Sequence, residues 1–352
     1  MIERPDPLWD PQQPGDETLA HLASLLGRYR HVPPPERVWS AGPPTAPRRR
    51  ARRASLAAAV ALAACLAGVA TWVPWRLHWE ERRQWAVDAD ASPSPASLGV
   101  GGTLTTRAGE SATVRVARIG RMDVLPGTRI RLLDTRGGHH RLELLEGRVR
   151  ARIWAPPGYF GIAAGTSETV DLGCEFEMSR NLRGEGTIYV TNGWIMHRVN
   201  GQETLVPAGS GLDFDATRSG IPLATTSSAA FRAAVRHLDL AMAEGGRPSG
   251  AEEAVVREAT PSDSFALLSL LTRYPALANG PVYSKLAALL DVPTDAKHQE
   301  AWSRGSMHAM NLWWERMPRP PKAWWLNWRD AIPWTESANQ KAAVSVTKRE
   351  TP

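Results

Sequence analysis

The chain has 352 residues, 43% of them hydrophobic and 22% charged, which is apolar material enough for two or three packed units. Its net charge of +6 is carried largely by Arg48, Arg49, Arg50, Arg52 and Arg53, so it gives no reading as a nucleic-acid binder. Its two cysteines, Cys65 and Cys174, fall in unlike surroundings and exclude a disulfide framework.

Residues 1–16 are rich in Pro and Asp and read as unstructured. Asp16 then caps a short amphipathic helix from Glu17 to Arg30, with Leu19, Leu22, Leu26 and Tyr29 along one face. Nothing in its own segment covers that stripe, so it is a candidate partner helix. A Pro-rich linker follows over 32–47.

Ala54 to Val73 reads ASLAAAVALAACLAGVATWV, twenty residues without charge or proline. As a helix this run would reach about 30 Å, the hydrocarbon thickness of a bilayer. The five arginines before it resist translocation, and Trp72, Trp75 and Trp79 suit the far interface. The expectation is a single-pass inner-membrane protein with a cytoplasmic segment at 1–53, a transmembrane helix at 54–73 and a periplasmic remainder. A second reading rests on Leu62-Ala63-Ala64-Cys65, which matches a lipobox and makes Cys65 the candidate lipidation site of an envelope lipoprotein.

Residues 74–97 read as a periplasmic linker, ending in ASPSPAS. From 98 to 215 the period changes to two. Val114 and Val116, Ile130 and Leu132, Leu142 and Leu144, and Val149, Ala151 and Ile153 alternate with polar residues. Gly120, Pro126-Gly127, Gly137-Gly138, Gly147, Pro156-Pro157-Gly158 and Gly193 separate several runs. Short strands with such turns indicate an all-β sandwich, jelly roll or β-roll. From 226 to 336 the period becomes helical, with helices expected at Phe231–Glu244, Ala251–Ala259, Ser262–Tyr274, Val282–Asp291 and Ala296–Trp314. Residues 337–352 read as a loose tail. The fold class expected is a membrane-anchored α+β protein: one transmembrane helix, an all-β domain, then an all-α domain.

No nucleophile elbow, Walker loop, dinucleotide fingerprint or zincin motif occurs, so no catalytic residue, metal or cofactor is expected. His139 and His140 are consecutive on a strand and face opposite ways, which is poor chelating geometry. Arg148, Arg150 and Arg152 repeat with period two and share one sheet face, a candidate anionic-ligand face that Arg129 and Arg131 extend. Cys174 reads as a buried small hydrophobe. Trp313, Trp314, Trp324, Trp325, Trp328 and Trp334 form a cluster read chiefly as core.

The β region resembles the FecR domain of bacterial regulators. The resemblance rests on Gly102–Thr106 (GTLTT), Met122–Leu132 (MDVLPGTRIRL), Leu142–Val149 (LELLEGRV), Thr169–Phe176 (TVDLGCEF), Thr187–Trp194 (TIYVTNGW) and Val206–Gly209 (VPAG). It covers about a third of the chain and leaves out the helical part. It implies a non-enzymatic membrane sensor whose cytoplasmic part holds or releases an extracytoplasmic-function sigma factor. This chain departs from the family in its short cytoplasmic part, which has no Cys for a His-x-x-x-Cys-x-x-Cys motif. The partners expected are the lipid bilayer, a sigma factor or another cytoplasmic regulator, and an envelope protein or glycan outside. The alternative is an envelope scaffold or lipoprotein that sends no signal inward.

Overall fold

The computed structural model describes residues 70–89 and 97–318, with residues 62–63 and 67–68. The chain divides into two compact units, 1–66 and 67–352, and every strand and helix labelled below lies in the second.

The alternating runs fold into strands β1 (Trp85–Ala89), β2 (Ser97–Leu98), β3 (Thr103–Thr105), β4 (Ala112–Val116), β5 (Gly120–Val124), β6 (Arg129–Arg136), β7 (His139–Ile153) and β8 (Phe160–Ala164). The rest are β9 (Ser167–Asp171), β10 (Glu175–Arg180), β11 (Gly186–Asn192), β12 (Trp194–Val199), β13 (Gln202–Pro207), β14 (Ser210–Phe214) and β15 (Leu223–Ala224). The sheet starts earlier than the alternation indicates, because β1 falls in the stretch read as a linker. Trp85 anchors it: the ring is fully buried, and its indole N–H donates to the Thr135 hydroxyl at 2.8 Å.

Two sheets share β7. Its first half pairs with β6 and β8, and its second half with β5 and β10. One sheet runs β3-β6-β7-β8-β9-β12-β13, the other β1-β4-β5-β7-β10-β11-β14-β15. Gly147, expected to separate two strands, instead bends this one. Its φ is +96°, and a Cβ there would stand 2.4 Å from the Thr128 Cα, so only glycine fits. The inward residues Val114, Met122, Ile130, Leu144, Ile162, Ile188 and Ile195 belong to one buried cluster between the sheets. Each such side chain contributes roughly 1.5–3 kcal/mol by leaving water.

The helices follow: α1 (Ala229–Ala243), α2 (Ala251–Glu258), α3 (Ser264–Arg273), α4 (Pro281–Leu289), α5 (Ala296–Ser303) and α6 (Met307–Trp314). The run read as one helix over Ala296–Trp314 breaks at Gly305, where φ is +81°, and Ser306 caps α6 by accepting from the Ala309 N–H. A second buried cluster joins Val170, Leu172, Met196 and Leu205 of the sheet region to Phe231, Leu267, Leu271 and Trp302 of the helices. Trp302, Trp313 and Trp314 are core residues of this layer. Trp324, Trp325, Trp328 and Trp334 lie outside the described residues.

The protein is thus a mostly β-sheet domain followed by helices, and the membrane-anchored fold class needs correction. No helix among the described residues is long and apolar enough to cross a membrane. The described helical run at 70–77 covers about 12 Å at 1.5 Å per residue and already includes Pro74 and Arg76. Arg76 donates to the Trp154 carbonyl at 2.9 Å, and the Arg118 guanidinium donates to the Trp75 carbonyl at 3.0 Å, so this run is tied to the sheet region. The expected single-pass inner-membrane location, with a cytoplasmic N-terminus and a periplasmic C-terminus, falls with the spanning helix. Residues 54–61, 64–66 and 69 of the apolar stretch lie outside the described residues.

Candidate functional site: a cleft between sheet and helix

A cleft of about 600 Å³ opens where the end of the β10–β11–β14 sheet meets α1. Concave apolar sites of this size are the default binding sites of a fold. Its apolar lining comes from Phe214, Ile221, Leu223, Val235 and Leu240. The first four are buried, whereas Leu240 remains 52% exposed at the mouth.

Charged groups ring this lining, and most of them hold one another. Asp239, on the cleft side of α1, is 3% exposed and takes hydrogen bonds from Arg218, Arg273 and the Tyr274 hydroxyl. Arg273 also donates to the carbonyls of Ser219 and Gly220 and to the Thr204 hydroxyl, which ties α3 to the sheet. Burial, with Asp239 beside it, pushes the Tyr274 hydroxyl up to about 12. Arg236 pairs with Asp213 at 2.6 Å across the mouth. Burial works against the charge of Asp215, yet the Thr217 hydroxyl and the N–H groups of Thr217 and Arg218 outweigh it and hold the carboxyl below its usual range. Arg180 alone among the lining cations has no carboxylate partner among the described residues; it donates to the carbonyls of Leu144 and Leu145 at 3.0 Å.

Three other groups with strongly displaced proton affinities sit inside the sandwich. Burial pushes His140 and His197 down to about 4 and Asp171 up to about 7. Each histidine shares a hydrogen bond with a threonine, His140 with Thr135 at 2.8 Å and His197 with Thr169 at 2.9 Å, and its Nε2 is buried without a partner. Among the described residues no group of His, Cys, Asp and Glu is arranged to hold a metal ion.

Arg148, Arg150 and Arg152 stand together on the outer face of β7, and each meets an acid on β10. Arg148 and Arg150 share Glu177 at 3.6 and 2.9 Å, and Arg152 pairs with Glu175 at 2.5 Å. Arg129 and Arg131 pair instead with Glu146 and Glu143 on the first half of β7. Leu19, Leu22, Leu26, Tyr29 and Cys65 lie outside the described residues. The cleft itself escaped sequence reasoning, because its lining is gathered from residues 179 to 240 and carries no local pattern.

No protein-family model matches the chain, and no curated protein matches it. Among solved structures, the chain is similar to a candidate anti-sigma factor from Parabacteroides distasonis ATCC 8503, with 15% identity and a TM-score of 0.30. That likeness covers 38% of this chain, which spans 63% of the length of the solved one. A second crystal structure of the same description and organism gives 14% identity, a TM-score of 0.29 and coverage of 38% and 62%.

Proposed function

We propose that this protein is a non-enzymatic regulator of an extracytoplasmic-function sigma factor, whose two-sheeted domain and first helix bind a partner in the cleft. The observation that carries the reading is the placement of the FecR-like blocks. Gly102–Thr106 covers β3, Met122–Leu132 the connection from β5 in one sheet to β6 in the other, Leu142–Val149 the bend of β7, and Thr169–Phe176 the β9–β10 crossover. Thr187–Trp194 covers β11 into β12, and Val206–Gly209 the turn into β14. The blocks therefore make up the framework of one domain. A binding role fits the cleft better than a catalytic one. Most of its ionisable groups are spent on pairing with each other or with the backbone, whereas catalytic sites aim perturbed groups into the pocket.

The test is transcription. Deleting the gene, and separately overexpressing the full chain, should shift in opposite directions the promoters of one of the host's extracytoplasmic-function sigma factors. If no such promoter responds to either change, the reading is wrong.

A further inference from the structure

The crossover between the two sheets contains a fully buried carboxylate with no cation beside it among the described residues. Asp171 ends β9 and has no exposed surface. Its Oδ1 accepts from the Cys174 N–H at 3.0 Å and from the Cys174 Sγ at 2.6 Å, and its Oδ2 accepts from the Gly173 N–H at 3.1 Å. The chain here binds both hydrophobic clusters. Leu172 belongs to the cluster shared with the helices, Cys174 to the one between the sheets, and the Leu172 N–H donates to the Trp194 carbonyl at 3.1 Å. The Ile153 N–H donates to the Cys174 carbonyl and the Gly158 N–H to the Asp171 carbonyl, so three loops meet at this turn.

A buried carboxylate is tolerated as an anion only where donors or cations replace its lost water. Here there are three donors and no positive charge. The other ionisable residues on the surrounding elements are engaged elsewhere. Glu175 of β10 pairs with Arg152 of β7. His197 of β12 bonds Thr169. Glu168 of β9 pairs with Arg141 of β7, and Arg198 of β12 with Glu203 of β13. Tyr159 lies in the loop before β8.

We propose that Asp171 and Cys174 form a pH-sensitive latch at the β9–β10 crossover, closed while the Asp171 carboxyl is protonated and loosened as it ionises, so that pH governs how firmly the sheets hold the helical layer at Leu172. Burial pushes Asp171 up to about 7 and, together with Asp171 beside it, pushes the Cys174 thiol up as well. A closed turn that binds the proton more tightly than an open one must open more readily as pH rises. The opening constant climbs about tenfold per pH unit between the two carboxyl affinities and then levels off.

Cys174 reports the opening. In the full chain carrying Cys65→Ser, Cys174 is the only thiol. Its labelling by a maleimide requires both an open turn and an ionised thiol, whose open-state affinity lies near 8.5. The logarithm of the labelling rate should therefore rise with slope two against pH below about 7 and with slope one above it. In Asp171→Asn the opening no longer titrates, and the slope should be one throughout. A slope of one in both proteins overturns the latch. Should labelling be too slow to follow, urea midpoints of both proteins at pH 5.5 and 7.5 decide the matter. The parent must lose stability on going to the higher pH relative to Asp171→Asn, and equal changes overturn the proposal. The comparison cancels the titration of His140 and His197, which both proteins share.

Discussion

Asp239 on the first helix and Arg273 on the third pair at 3.2 Å with side chains only 5% and 8% exposed. Arg218, from the β14–β15 connection, and the Tyr274 hydroxyl complete the group. Through it the helical layer, the cleft wall and the sheet edge are joined at one buried carboxylate. Removing that carboxylate strands two cations, so Asp239→Ala is expected to cost about 3–5 kcal/mol. Arg273→Ala leaves Asp239 with Arg218 and should cost less. Urea unfolding of the two variants checks the order, and a loss below about 1 kcal/mol for Asp239→Ala would show that the cluster is merely decorative.

His140 and His197 are buried neutral, with proton affinities pushed down to about 4 against an unfolded value of 6.5. Between those values the unfolded chain binds more protons than the folded one. The share of stability that depends on these two histidines is therefore complete above about pH 6.5 and falls as pH drops towards 4. Each histidine accounts for about 3 kcal/mol of that loss at most. His197→Leu removes one share, and the Thr169 hydroxyl keeps the Met178 sulfur as a partner at 3.7 Å. Thermal midpoints measured from pH 7 to 4 should fall less steeply in the variant. Parallel curves would mean that His197 does not titrate with unfolding.

The arginines of β7 were legible from their spacing alone, but the acids that neutralise them were not. Glu175 and Glu177 arrive through strand pairing, Arg150 and Glu177 being 27 residues apart in sequence. Glu177 serves both Arg148 and Arg150, so Glu177→Gln frees two guanidinium groups at once. The variant should elute from a heparin column at higher salt than the parent, and Glu175→Gln should add to the shift by freeing Arg152. Unchanged elution would show that this face attracts no polyanion even when uncovered.

The same division between local and tertiary signals runs through the fold. Val114, Val116, Ile130, Leu132, Val149 and Ile153 are all buried, as their period-two spacing requires, because a half-buried strand writes its core into its own sequence. Strand β1 was missed because Trp85 and Val87 are its only fully inward apolar positions, too few to show a period. The apolar run at 54–73 meets a length criterion for spanning, and that criterion weighs hydrophobicity without knowing what the chain packs on. Asp239, Arg218 and Arg273 carry no local sequence pattern, because three separate segments bring them together.

Gly147 tests whether the bend of β7 is a requirement or a convenience. The Thr128 hydroxyl donates to the Arg148 carbonyl and accepts from the Arg148 N–H, which closes Thr128 against the bend and leaves no room for a side chain. A methyl group at 147 would meet the Thr128 Cα and Oγ1 at 2.4 Å and the Gly127 carbonyl at 2.7 Å, on a backbone already at positive φ. Gly109 also has a positive φ, of +83°, but an added methyl there would meet nothing within 4 Å. Gly109→Ala therefore measures the backbone strain alone, expected at about 1 kcal/mol. Gly147→Ala adds the clash and the loss of both Thr128 bonds, and should cost at least about 2 kcal/mol more by urea unfolding. Equal costs would mean that β7 can straighten and that the two sheets do not depend on this bend.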